Sequence, residues 1–270
     1  MGGAGRRGSA AAGVSAADMR AAYDVSAEAW AAGPEPLYAQ LAEALIAASP
    51  VGLAAARVLD LGAGTGVASR AARRAGAVRV VGVDVAVQML RRGRYVFDPV
   101  QADAAALPFG AGSFDLVVAA CCLGHLPDPV RALRETRRVA TAIVASAFGA
   151  GWTHPAKAAV DNALAPLGFR PPQWYLTFKR DVEPLMGDAA GLASLADAAG
   201  YRTVQVRTVQ VATGLDTPAA QVAWRLGMAH LAPFLRSLAP DQQQQARRAA
   251  EDALIGAPPL VVPLVVLAAA

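Results

Sequence analysis

Apolar and polar positions fall into a repeated strand–turn–helix rhythm over residues 57–139. Arg57-Val58-Leu59-Asp60-Leu61 is a short apolar run closed by glycines. An Ala/Arg helix follows to about Ala75, with Gly76 as its stop. Val80-Val81-Gly82-Val83-Asp84 repeats the pattern, with a helix through Met89 and Leu90 that stops near Gly93. A weaker strand is expected at 99–102 and a buried one at 114–120. Asp128 and Pro129 then read as the N-cap and first-turn proline of a helix over 130–139. Residues 141–148 give a fifth strand. Strands that are apolar throughout, alternating with helices, predict a parallel sheet covered on both faces.

Past Gly149 the rhythm changes. Six aromatics (Phe148, Trp152, Phe169, Trp174, Tyr175 and Phe178) crowd into a stretch interrupted by Pro155, Pro166, Pro171 and Pro172, so residues 149–188 read as an inserted cap rather than a sheet element. A helix over 189–199 stops at Gly200. Residues 203–211 alternate, with one break at Arg207-Thr208, as a strand with one solvated face. Two amphipathic helices, 218–238 and 242–254, lead to a last β-branched run at 260–267. The final eighteen residues carry no charge, but Pro258, Pro259 and Pro263 interrupt them, so they read as a core strand and not a membrane span. Residues 1–18 read as a disordered tail ahead of one domain over 19–270.

Composition sharpens this picture in three ways. Hydrophobic residues at 55% and charged residues at 17% supply a core and exclude wholesale disorder. Alanine fills 66 of 270 positions, which favours helix and close helix–sheet packing. The net charge of +4 rests almost entirely on arginine, since Lys157 and Lys179 are the only lysines. Clusters such as Arg70/Arg73/Arg74 and Arg134/Arg137/Arg138 read as solvated helix faces, so no nucleic-acid or membrane partner is expected. The adjacent pair Cys121 and Cys122 gives no disulfide framework, which points to the cytoplasm.

The informative motif is Asp60-Leu61-Gly62-Ala63-Gly64-Thr65-Gly66, after a strand and at the start of a helix. A dinucleotide fingerprint would need its third glycine at position 67, which is Val67. Asp60 would repel a pyrophosphate but attract an ammonium, and free backbone N–H groups in the turn could take a carboxylate. A ligand with an amino acid moiety meets both conditions. Asp84, with Val85 beside it, ends the second strand where a carboxylate can accept ribose hydroxyls. Asp103 and the Ala104 backbone N–H are placed for an adenine, whose face Met89 could cover. These positions, in this order, suit an adenosyl amino acid rather than NAD.

On these residues, together with Phe114-Asp115-Leu116-Val117-Val118 and His125-Leu126-Pro127-Asp128-Pro129, the chain resembles the class I S-adenosylmethionine-dependent methyltransferases over residues 23–148. The nearest branch is that of ubiquinone/menaquinone-type and antibiotic-tailoring enzymes. The resemblance implies S-adenosyl-L-methionine as cofactor and an α/β, Rossmann-like, seven-stranded and mostly parallel sheet. Its order would be 3-2-1-4-5-7-6, with helices on both faces and a lid between strands 5 and 6. It further implies that N-terminal helices close over the cofactor, bringing Tyr23 to the cofactor and Trp30 to the substrate. One departure stands out: no Pro-Gly-Gly turn separates the fourth helix from the fifth strand, so that helix is expected to end early, near Glu135 or Thr136.

Methyl transfer is an in-line displacement with a neutral leaving group, so alignment and exclusion of water matter most. A base is needed only for a hydroxyl or a protonated amine. His125 at the carboxyl edge of the sheet is the first candidate and His154 in the lid the second, while His230 reads as packing or surface. Cys121 and Cys122 read as small buried neighbours of the cofactor. Trp152, Trp174, Tyr175 and Phe178 offer stacking rather than charge, which suits a small apolar or aromatic molecule methylated on O, N or C, with a secondary metabolite expected. No metal is expected, and the chain is read as a monomer or homodimer. Two alternatives keep the fold: a cyclase using the cofactor structurally, and an RNA or protein methyltransferase.

Overall fold

Seven strands form one sheet in the order β3-β2-β1-β4-β5-β7-β6, in which β7 runs opposite to the other six. The structure, a computed structural model, describes residues 8–270, with side chains from residue 17 onward. The strands are β1 (Arg57–Leu61), β2 (Arg79–Asp84), β3 (Asp98–Gln101), β4 (Leu116–Ala119), β5 (Ile143–Phe148), β6 (Val204–Ala212) and β7 (Val261–Ala269). Successive side chains leave a strand on opposite faces, and that alternation divides the core in two. Val58, Val80, Leu116, Val118, Val144 and Val266 join one apolar cluster. Their neighbours Leu59, Val81, Val117, Ile143, Ala145 and Val265 join the other.

Two helices precede the sheet, α1 (Gly8–Ala32) and α2 (Glu35–Ile46). Residues 8–18, expected as part of a tail, are the start of α1, where the alanine run has strong helix propensity; residues 1–7 lie outside the described residues. The helices α3 (Val67–Arg74), α4 (Val87–Gly93) and α5 (Pro129–Val139) follow β1, β2 and β4. Asp128 caps α5 by accepting the Arg131 N–H at 2.9 Å, with Pro129 in the first turn.

That helix does not end early. It runs to Val139 and reaches β5 through Ala140, Thr141 and Ala142 without a glycine. Ala140 is extended and bridges Phe114, and Thr141 donates to the Asp115 carbonyl at 3.0 Å. Arg138 holds the last turn by donating to the carbonyls of Phe109 and Leu107 and to Glu135. Side-chain anchoring replaces the expected turn.

The β5–β6 connection carries α6 (Pro155–Leu164), α7 (Gln173–Thr177), α8 (Glu183–Met186) and α9 (Ala189–Ala199). The β6–β7 connection carries α10 (Pro218–Leu226), α11 (Ala232–Ser237) and α12 (Pro240–Asp252), and it packs on α6. The single long helix expected over 218–238 is broken after Leu226. Gly227 sits where a Cβ would come within 2.3 Å of Pro34, and Pro233 can occupy a first turn but not a helix interior. The break turns Met228, Ala229 and His230 inward toward the lid.

Strand β6 also departs from a simple one-sided edge. Its register against β7 is continuous through Arg207-Thr208, so the break in alternation switches faces. Val204 and Val206 pack on one side of the sheet, Val209 and Val211 on the other.

Candidate active site

The strand order reverses between β1 and β4, and the carboxyl ends of the strands there form the crevice where open α/β sheets bind ligands. The turn 62–66 bends in the left-handed region at Gly62, Gly64 and Gly66. A Cβ at Gly62 would strike Cys122, and one at Gly66 would strike Phe97, whereas one at Gly64 would meet nothing within 4 Å. Gly64 therefore presents bare backbone to open space. The N–H groups of Gly62 and Ala63 donate to the Val83 carbonyl, and that of Gly64 donates to Asp84 Oδ2 at 2.9 Å. This corrects the expectation of free donors in the turn: Asp84 lies across it and takes the central one.

Three carboxylates line this edge in different ways. Asp84 accepts from the N–H groups of Gly64 and Ala86, and burial raises its pKa. Asp60 is 1% exposed and accepts from Ser69 Oγ at 2.6 Å, while its Oδ1 has no partner. Burial pushes its pKa up to about 6. Asp103 is exposed and accepts from the Ala105 N–H, and beside it Ala104 is buried. Val85 is exposed at the end of β2. Met89 is 1% exposed in the apolar core, so it packs under this edge rather than presenting a free face.

Helix α1 and the start of α2 cover the edge. Asp24 accepts the Gln88 N–H at 2.8 Å in the first turn of α4, and Glu35 pairs with Arg70 and accepts from Thr65 in the glycine turn. Tyr23 reaches His125 Nε2 with its hydroxyl at 3.3 Å and packs against Trp174. Trp30 is buried behind it, 5.6 Å from Tyr23 and 4.7 Å from Tyr38 between ring centroids, and does not line the lid cavity.

Under the lid lies a cavity of about 100 Å³. Tyr23, Cys121, His125, Trp152, Trp174, Tyr175 and Phe178 all line it. Between α7 and α8, residues Phe178–Val182 form one wide π-helical turn, a feature common at functional sites. The same continuous helical stretch turns Trp174, Tyr175, Phe178, Lys179, Glu183 and Met186 toward the cavity. His125 stacks on Phe178 at 4.9 Å, and burial pulls its pKa down to about 4, so the imidazole is neutral at pH 7. Cys121 adopts a left-handed backbone, donates its N–H to Ser146 and has its thiol pushed up to about 11 by burial, so it is not a thiolate.

A family model described as a methyltransferase domain matches residues 59–142. The malonyl-acyl-carrier-protein O-methyltransferase of Halorhodospira halophila is 32% identical over 216 residues, which are 76% of this chain and 72% of that protein. The chain belongs to the class I S-adenosylmethionine-dependent methyltransferases. The demethylmenaquinone methyltransferase of Renibacterium salmoninarum is 35% identical over 125 residues, 45% of this chain and about half (51%) of that protein. Two solved structures share the fold at 17% identity and a TM-score of 0.52: the cyclase SpnF, covering 86% of this chain and 80% of its own, and the phosphoethanolamine N-methyltransferase 2 of Haemonchus contortus, covering 84% and 51%.

The chain's own residues fit S-adenosylmethionine. Gly64 leaves open space above the turn, Asp60 holds an unpaired buried oxygen, and Asp84 offers a carboxylate at the end of β2. When bound, that cofactor supplies a methyl group on a sulfonium centre.

Two histidines exchange the roles expected of them. His154 accepts the Ala156 N–H with Nδ1 and meets the Pro258 carbonyl with Nε2, so it is a helix cap and does not line the cavity. His230 does line it, stacked face to face on Tyr175 at 3.7 Å with Nε2 unpartnered. The lid is also not free of charge: Lys157, Lys179, Glu183 and Arg225 line the same cavity. Both lysines of the chain are here, a compositional signal that the sequence carried openly.

Proposed function

We propose that this enzyme methylates an O, N or C atom of a small, largely aromatic molecule bound between α1 and the lid. The observation that carries the reading is the aromatic wall of Tyr23, Trp152, Trp174, Tyr175 and Phe178, which meets the carboxyl edge of the sheet at Cys121 and His125. A flat ring would stack against that wall, with its acceptor atom directed toward the glycine turn. The catalytic contribution is alignment and exclusion of water. A neutral His125, braced by Tyr23 and Phe178, orients the acceptor through a hydrogen bond.

In the same reading Asp84 takes the ribose hydroxyls, Asp103 and the Ala104 N–H address the adenine, and Val85 flanks them. The buried charge of Asp60 favours the ammonium end, near Gly62, Ala63, Gly64 and Gly66. A cytoplasmic enzyme of secondary metabolism, working as a monomer or homodimer, completes the proposal. The shared fold of SpnF does not move it toward cyclisation, since likeness at 17% identity speaks to fold alone.

Calorimetry with S-adenosylhomocysteine tests the cofactor half. The wild-type protein should bind it, and Asp84→Ala should weaken binding by about tenfold to a hundredfold, the range for losing a charged hydrogen-bond acceptor. No binding at about 1 mM, or equal binding by the variant, would defeat the assignment.

A further inference from the structure

The lid cavity holds more positive charge than its own carboxylates neutralise. Lys179 pairs with Glu183 across one turn of the lid helix, and Arg225 donates to both carboxylate oxygens of Asp161 at 3.0 and 3.2 Å. Lys157 has no carboxylate partner among the described residues. Its ammonium donates to the Trp152 carbonyl at 2.7 Å and lies 4.0 Å from the centre of the Trp152 ring. One positive charge is therefore left uncompensated in a half-buried place.

Unpaired polar atoms gather at the same end. Trp224 Nε1, Arg225 Nε and His230 Nε2 are buried without a partner, and all three residues line the cavity. The first two are obligate donors, and a neutral imidazole can present a donor at Nε2. Buried donors in native proteins are almost always paired, so three together mark a place for an acceptor that the chain does not supply. Trp224 also lies 6.1 Å from Trp152 between ring centroids, which puts its ring beside the tryptophan that Lys157 covers. The charges of Arg225, Lys179 and Lys157 all press on His230, whereas His125 is shifted by burial alone. The cavity thus has a cationic end and a neutral one.

Resting on the methyltransferase reading above, we propose that the substrate is an aromatic carboxylate, its anionic group held by Lys157, Arg225, Trp224 and His230 while its ring lies along Tyr175 and Trp174 toward His125. A single uncompensated cation matches a monoanion better than a dianionic phosphate. The planar carboxylate also presents two acceptor oxygens to donors arriving from α6 and α10. The group is a handle: it fixes which end of the ring faces the glycine turn.

The test uses the full chain saturated with S-adenosylhomocysteine and reads tryptophan fluorescence, since Trp152, Trp174 and Trp224 line the cavity. Benzoate, 4-hydroxybenzoate and phenylacetate are titrated against their neutral amides. The carboxylates should bind about tenfold to a hundredfold tighter than the amides, the range for a charged hydrogen bond. Lys157→Gln should erase that preference, and Lys157→Arg should keep most of it. Equal binding of acid and amide, no carboxylate binding at about 10 mM, or a preference that survives Lys157→Gln would overturn the proposal. Calorimetric S-adenosylhomocysteine affinity, measured on each sample, separates the two readings. Loss of cofactor binding in the wild type sinks the methyltransferase assignment, whereas intact cofactor binding without acid preference sinks only the carboxylate.

Discussion

The two halves of the cleft are mirror images in charge. At the sheet edge, Asp60 and Asp84 are carboxylates whose pKa values burial raises. Under the lid, Lys157 and His230 are bases whose pKa values burial lowers, Lys157 to about 8. Both halves hold charge at a cost in solvation, and neither supplies enough opposite charge to offset it. The sheet edge suits a cationic ligand and the lid an anionic one, so the protein gives up stability in the places where a ligand restores it.

That comparison can be tested first at Asp60, where the expected effect is largest. A folded pKa of about 6 lies above the unfolded carboxylate value. Between those values the folded protein holds the extra proton, so stability falls as pH rises through the window and the full cost is present above it. The cost is about 3 kcal/mol at pH 7. Asp60→Asn removes the charge and leaves Ser69 an acceptor, so ligand-free protein should melt several degrees higher at pH 7 and lose that advantage at pH 4. Thermal melts with no such difference would break the symmetry drawn between the halves.

A second measurement addresses the lid. Lys157 faces Lys179 and Glu183 from the lid helix, Arg225 from α10 and Asp161 on its own helix, and burial dominates its shift. As pH rises through about 8 its charge is lost, so benzoate affinity should fall about tenfold by pH 9.5. A flat profile would count against Lys157 as the holder of the anion, as would a preference that survives Lys157→Gln. The smallest effect is expected at His154. If it only caps α6, His154→Ala should cost about 1 kcal/mol of stability and leave cofactor and carboxylate affinities in place.

Legibility in the sequence followed the range of the interactions. Strand cores, the glycine turn and the Asp128 cap are written in neighbouring residues, whereas the strand order that the sheet adopts was implied by the family resemblance and not by the pattern. His154 could have been recognised by the same local grammar: it precedes Pro155 as Asp128 precedes Pro129 and Thr217 precedes Pro218, and all three cap helices. Arg225 and His230 were not legible, because only the packing of the β6–β7 insertion on α6 brings them beneath the lid. Lys157 and Lys179 stood in between: their position among the aromatics was visible, but the pairing that leaves one of them unmatched is tertiary.

The wide turn at Phe178–Val182 spends one more residue per revolution than the helix around it. Deleting one residue there would restore the ordinary helical path and swing everything downstream by about 100°. Trp174 and Tyr175 would keep their places, while Glu183 and Met186 would turn away from the cavity. Two sectors of one wall are thus held in phase by a single extra residue, so the length of this segment sets the shape of the cavity as much as its side chains do.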